Sequence, residues 1–195
     1  MSDAQPSLTP YQSTVMQHID THMSGGGAAL MDGAGNSILR YEDAPFVGAT
    51  SFVSCAANQP ISAMEDRGQQ SHISQELVFA IKTQQCNDQT VQVFAALMEW
   101  LREQDAAFRY GEVIGPLDAL FPDTDKQSLY VAMPTYFEEE LAFCHATQPP
   151  TMFVWLVPVT EAERKYIVEN GSDAFEVLLD EKNPDATDLK RACLV

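Results

Sequence analysis

"MFVWLVPVTEAERKYIVENGSDAFEVLLD", Met152 to Asp180, reads as a strand, a turn and two helices in succession, and the rest of the chain is best understood outward from it. "MFVWLVPV" is apolar on successive residues, as expected of a strand covered on both faces, which makes it the candidate for the sheet centre. Pro158 is expected to end the strand. Thr160-Glu161-Ala162-Glu163 then spells a capping box: the Thr hydroxyl is available to the Glu163 N–H and the Glu163 carboxylate to the Thr160 N–H, contributing about 1 kcal/mol. Asn170-Gly171 supplies the left-handed stop. Ser172 is the expected cap of a second helix with Phe175, Leu178 and Leu179 on its apolar face, closed by Asn183-Pro184.

Upstream, Thr9-Pro10-Tyr11-Gln12 opens a helix from Pro10 to Met23, with Tyr11, Val15, Ile19 and Met23 recurring every fourth residue. Gly25-Gly26-Gly27 follows as a hinge, so residues 1–27 read as an N-terminal helix and hinge of a single domain spanning 1–195. "SILRY" and "ATSFVSCA" read as strands joined by "EDAPFVG". "PISAMEDRGQQSH" reads as a polar loop, and Gln75 to Ile81 as a strand, with a turn of helix as the alternative. Gln89 to Glu103 is an amphipathic helix capped by Asn87 or Asp88, its face carrying Val91, Phe94, Leu97, Met98 and Leu101. "SLYVAMP" is a further strand. The pattern gives an α+β class with the helices packed on a sheet.

With 11 Lys+Arg against 28 Asp+Glu the formal charge is −17, which argues against a chain that grips nucleic acid or an anionic membrane by its own charge; a basic protein partner is the opposite reading, and acidity that serves solubility alone is the alternative to it. No apolar run approaches a membrane span and the N-terminus lacks the pattern of an export signal, so a cytoplasmic location is expected. Cys55, Cys86, Cys144 and Cys193 form no C-x-x-C pair and are expected as free thiols.

Chemical motifs are sparse. "DGAGNS" at Asp32 to Ser37 lacks the glycines of a dinucleotide fingerprint and the lysine of a P-loop. His18 and His22 share one helix face, and Asp20 or Asp32 could join them as metal ligands, but the H-E-x-x-H spelling is absent. Cys144-His145 is expected as a buried thiol beside an exposed imidazole. No nucleophile elbow and no S-x-x-K occurs, and neither catalytic residue nor cofactor is assigned. The acidic residues Asp123, Asp125, Glu138, Glu139 and Glu140 are solvated groups by composition. They are also the candidate contacts for a partner, because carboxylates on a rigid surface can enter the positive cleft of a nucleic-acid-processing protein.

The stretch Phe153 to Arg191 resembles the C-terminal signature of the suppressor of fused family: an apolar strand into a Pro-Ile/Val-Thr turn, an acidic helix ending at Gly-Ser/Ala, a "DAFE-LLD" helix and a "D-LKR" tail. "FVGATSFVSCA" matches loosely where the family has Thr-Val-Gly-Leu-Ser, and "SQELVFAIK" is similar to a family strand in which a basic residue stands at the position of Gln75. The resemblance implies a mixed β-sheet flanked by helices and a trade in binding rather than catalysis. The animal member sequesters a zinc-finger transcription factor, and bacterial stand-alone members resemble immunity proteins that neutralise toxins, often nucleases. The expected function is therefore that of a protein-binding, immunity-type antitoxin, with a regulatory scaffold for an endogenous partner or a metal-dependent hydrolase built on His18 and His22 as alternatives.

Overall fold

A computed structural model describes residues 8–23, 27–31, 36–66, 69–103, 107–117, 121 and 123–195. Helix α1, Pro10–His22, starts with the capping box of Thr9 and Gln12. Strands β1 (Ala28–Met31), β2 (Ser37–Glu42), β3 (Ala49–Cys55), β4 (Ile61–Asp66) and β5 (Gln69–Lys82) follow, then helix α2, Asp88–Arg102. Strands β6 (Val113–Ile114), β7 (Lys126–Ala132), β8 (Phe143–Cys144) and β9 (Thr151–Thr160) precede helices α3 (Glu161–Asn170) and α4 (Ser172–Lys182). The strands form one sheet in the order β1-β2-β3-β5-β9-β7-β6, with β4 on β5 and β8 on β9. β5 and β9 run parallel while every other pair is antiparallel, so the sheet is mixed.

β9 explains the architecture. All ten of its residues are buried, and because side chains alternate across a strand they feed two cores. Phe153, Trp155, Val157 and Val159 point to one side, where Val15 and Ile19 of α1, Ile167 of α3 and Phe175 of α4 pack. Met152, Val154 and Leu156 point to the other, against Phe94, Leu97 and Met98 of α2. The result is three layers, helices α1, α3 and α4 over the sheet and α2 beneath it. β9 is interior, though β5 holds the middle of the strand order.

Several local expectations are corrected. The segment from Pro60 to His72 is not a loop: β4 pairs with the N-terminal half of β5 from Ile61↔Ser74 to Asp66↔Gln69. Its polar composition reflects partial burial: Met64 and Ile73 pack against the edge of the core beside α2, while Ile61 and Ser71 are exposed. Pro158 does not end β9, since it pairs with Leu129 and the strand runs on to Thr160. β5 accompanies β9 only as far as Trp155, so the missing N–H of Pro158 faces away from the ladder, and the Arg191 guanidinium donates to its carbonyl at 3.1 Å. Ser172 is the first residue of α4 rather than its cap; Gly171, at φ 86, closes α3 and precedes α4 in a conformation that L side chains avoid. Asn87 rather than Asp88 caps α2, exchanging bonds of 3.2 Å with the N–H and hydroxyl of Thr90. The strand reading of Gln75 to Ile81 and the Thr160/Glu163 box are both as expected. Gly25, Gly26 and residues 32–35 lie outside the described residues. Gly27 is described, and a Cβ there would come within 2.6 Å of the Tyr41 ring.

The tail after α4 ties the layers together. Ala186 and Leu194 enter the core beside α1 while Leu189 enters the core beside α2. Lys82 donates to Asp188 at 2.6 Å and pairs with Asp185 at 3.3 Å, and Arg191 meets Glu163 in a buried pair at 2.5 Å. The Glu163 carboxylate also accepts from the N–H groups of Thr160 and Leu194. Buried Lys126 donates to the Arg191 carbonyl at 3.1 Å.

Candidate binding surface

Two turns meet at one end of the sheet. The β2–β3 connection, residues 43–48, bends through Asp43 at φ 54 and Gly48 at φ 90. Ser51 donates to the Ala44 carbonyl at 2.6 Å, pinning the turn inward and leaving Phe46 and Val47 exposed at 42% and 86%. The segment between β7 and β8 contributes Met133 and Tyr136, also exposed. The rings of Phe46 and Tyr136 stand 6.1 Å apart, Tyr136 lies 4.7 Å from the ring of Trp155, and its hydroxyl donates to the Pro184 carbonyl at 3.0 Å. Tyr136 is thus an aromatic anchored from below with an exposed face, the kind of rigid, low-entropy group that dominates protein interfaces.

Glu138, Glu139 and Glu140 follow, all exposed; Glu138 precedes and the other two open a 3₁₀ turn at Glu139–Ala142 whose Leu141 and Ala142 are buried. His22, the last residue of α1, approaches a Glu138 carboxylate oxygen with Nδ1 at 3.0 Å. One ligand atom each from His22, Glu138 and Glu140 lies within 4.8 Å of the other two. His18 stands beside this group, its ring 4.8 Å from that of His22 and stacked on Phe153, with Nε2 3.3 Å from the Leu141 carbonyl. Burial pushes the His18 imidazole below its ordinary value, the Leu141 carbonyl opposes this, and His22 and His145 add to the lowering. Asp20 accepts from the Tyr41 hydroxyl at 2.6 Å instead of joining the histidines, and Asp32 lies outside the described residues.

Asp123 and Asp125 are elsewhere. Asp125 holds Lys126 at 2.6 Å, and Lys126 pairs with Thr160 whereas Phe143, just after the glutamates, pairs with Met152. Eight residues of β9 separate those levels, roughly 27 Å along the strand, so a compact contact patch takes in the glutamates or the two aspartates but not both. The four cysteines are free; Cys144 is buried beside exposed His145, as expected, and burial with the neighbouring Glu76 carboxylate pushes the Cys55 thiol up.

The aromatic half of the surface escaped the sequence reading, which took "EDAPFVG" as a plain connection. The available signal was an aromatic beside proline in two turn segments, "APFVG" and "MPTYFEEE", where turn chemistry alone calls for small polar residues.

The conserved-domain model described as suppressor of fused protein matches residues 35–192, four-fifths of the chain. The chain belongs to the suppressor of fused family. A suppressor of fused homolog from Neisseria gonorrhoeae FA 1090 superposes with a TM-score of 0.70 at 17% identity, covering 95% of this chain and 97% of that one. A chain of the Sufu–Fu complex is similar at a TM-score of 0.61 and 13% identity, with 97% and 92% covered. Drosophila Suppressor of Fused gives a TM-score of 0.65 at 13% identity, covering 94% of this chain and 50% of that chain. No curated protein sequence matches the chain. At these identities the solved suppressor of fused structures establish the fold, an α+β architecture with a mixed sheet flanked by helices. Among the described residues no helix is long and apolar enough to cross a membrane.

Proposed function

We propose that this suppressor of fused family member is a non-enzymatic protein-binding module, and specifically an immunity protein that neutralises a cognate toxin of the nuclease class by covering its active site. The carrying observation is the exposed Phe46–Tyr136 pair set beside Glu138, Glu139 and Glu140: aromatic anchors for affinity with carboxylates alongside to meet a basic cleft. The net charge of −17 supports a basic partner through long-range steering and speaks against direct binding to nucleic acid or an anionic membrane. A similar fold stands in a Sufu–Fu complex, which supports protein recognition as the family's use of this architecture. That complex equally favours a second reading, a cytoplasmic scaffold for an endogenous partner.

Co-expression with the products of adjacent reading frames separates the two. Protection against a toxic neighbour, with a stoichiometric complex, supports immunity; a complex with a harmless endogenous protein supports the scaffold. Failure to bind or protect against any neighbouring product overturns the immunity reading. Reversal of Glu138, Glu139 and Glu140 to lysine slows association roughly tenfold and flattens its salt dependence; unchanged kinetics removes the glutamates from the interface.

A further inference from the structure

His22 closes α1, and Glu138 and Glu140 come from a segment more than a hundred residues away. Their side chains nonetheless converge, one ligand atom of each within 4.8 Å of the others. Among the described residues no lysine or arginine forms an ion pair with either glutamate, and the His22 imidazole faces both carboxylates. We infer that His22, Glu138 and Glu140 bind a divalent first-row transition cation of the zinc class.

The donor set makes this choice. An imidazole nitrogen disfavours calcium and magnesium, which take oxygen ligands, while the two carboxylates neutralise a dication, and no thiolate is needed. Ligand atoms about 2.0–2.2 Å from a tetrahedral zinc lie about 3.5 Å apart. The Nδ1–Glu138 distance of 3.0 Å is that of a hydrogen bond and about 0.5 Å short of that spacing, so a cation would replace this bond, and the adjustment falls to rotation of the exposed Glu138 and Glu140 side chains. The histidine is the placed member: its side chain is 19% exposed against 64% for Glu138, and His18, bonded to the Leu141 carbonyl one residue beyond Glu140, ties the same two segments beside it. A bound cation would therefore clamp α1 to the β7–β8 segment, with water completing its coordination. The site shares Glu138 and Glu140 with the partner surface proposed above, but it rests on the convergence of the three side chains and not on that partner.

The test is calorimetric titration of zinc into the metal-free full chain. One site per chain is expected, with Glu140→Gln and His22→Gln each weakening it at least about tenfold. Glu140 is exposed with a solvated side chain, so its variant retains the fold, which circular dichroism checks. Cobalt at one equivalent should give visible d–d bands without a thiolate charge-transfer band. Absence of saturable binding up to about 1 mM overturns the inference. So does an affinity unchanged in both variants, or a thiolate band that vanishes in Cys193→Ser. Partner binding is read in a separate assay, so failure of one leaves the other standing.

Discussion

Replacing Arg191 by methionine removes a buried guanidinium while keeping similar bulk. Its side chain is 4% exposed and that of Glu163 is fully buried. Arg191 donates to both Glu163 oxygens, at 2.5 and 3.1 Å, and to the carbonyls of Pro158 and Ala192. In the variant the Glu163 carboxylate still accepts from the Thr160 and Leu194 N–H groups, at 2.8 and 3.0 Å, so it stays bonded but loses its countercharge. Breaking such a pair from one side costs about 3–5 kcal/mol; the two surviving bonds place this case near the lower end, about 3 kcal/mol. For a chain of this size that lowers Tm by roughly 6–12 °C. Urea unfolding followed by circular dichroism measures it. The companion is the double variant Arg191→Met/Glu163→Gln, which leaves no uncompensated charge and should be less destabilised than the sum of the singles by about 2 kcal/mol. A cost below about 1 kcal/mol for the single change, or strict additivity in the cycle, would refute the view that the tail is held by this pair.

Burial pushes the Asp188 carboxyl up, but the bonds from Lys82, Gln85 and the Lys190 N–H prevail and hold it at about 2. A carboxyl depressed on folding stabilises above its unfolded value near 3.9 and loses that contribution as pH falls through its folded value. The stability gap between wild type and Asp188→Asn, about 1 kcal/mol after solvent screening, should therefore shrink between about pH 4 and pH 2; a gap that widens there contradicts the assignment. Gly27→Ala should cost about 1–3 kcal/mol in thermal unfolding, because the new methyl displaces the buried Tyr41 ring and strains its bond to Asp20. Tyr136→Ala should weaken partner binding by about 2 kcal/mol and Phe46→Ala by about 1, by calorimetry, whereas Val177→Ala, at an exposed position of α4 outside the aromatic and acidic residues named above, should be silent.

Much of the fold follows from local chemistry. The caps of α1 and α3 are set by side chains three residues apart reaching their own backbone, so Thr9/Gln12 and Thr160/Glu163 declared the helix starts before any tertiary contact was known. The unbroken apolar run of β9 announced a strand between two helical layers, since only a strand with both faces covered tolerates it. The "D-LKR" tail was recognisable as a family mark, but its physical reason was hidden: Asp188 and Arg191 answer Lys82 and Glu163, which are distant in sequence.

Composition misled where burial depended on neighbours. β4 and the start of β5 look like a loop because this hairpin gives the core only a few side chains, such as Met64 and Ile73, and is otherwise polar. Pro158 looks like a stop because sequence cannot say that β5 ends alongside Trp155 and leaves that side of β9 without a ladder. By itself the sequence determined the helix starts, the β9 strand, the acidic charge and the family, all of which rest on contacts within a few residues or on a sum over the chain. Tertiary structure alone decided that His22 faces Glu138 and Glu140, that Phe46 meets Tyr136, and that Asp123 and Asp125 lie away from both. Those juxtapositions arise from strand order and from α1 packing across the sheet, and no local spacing encodes them.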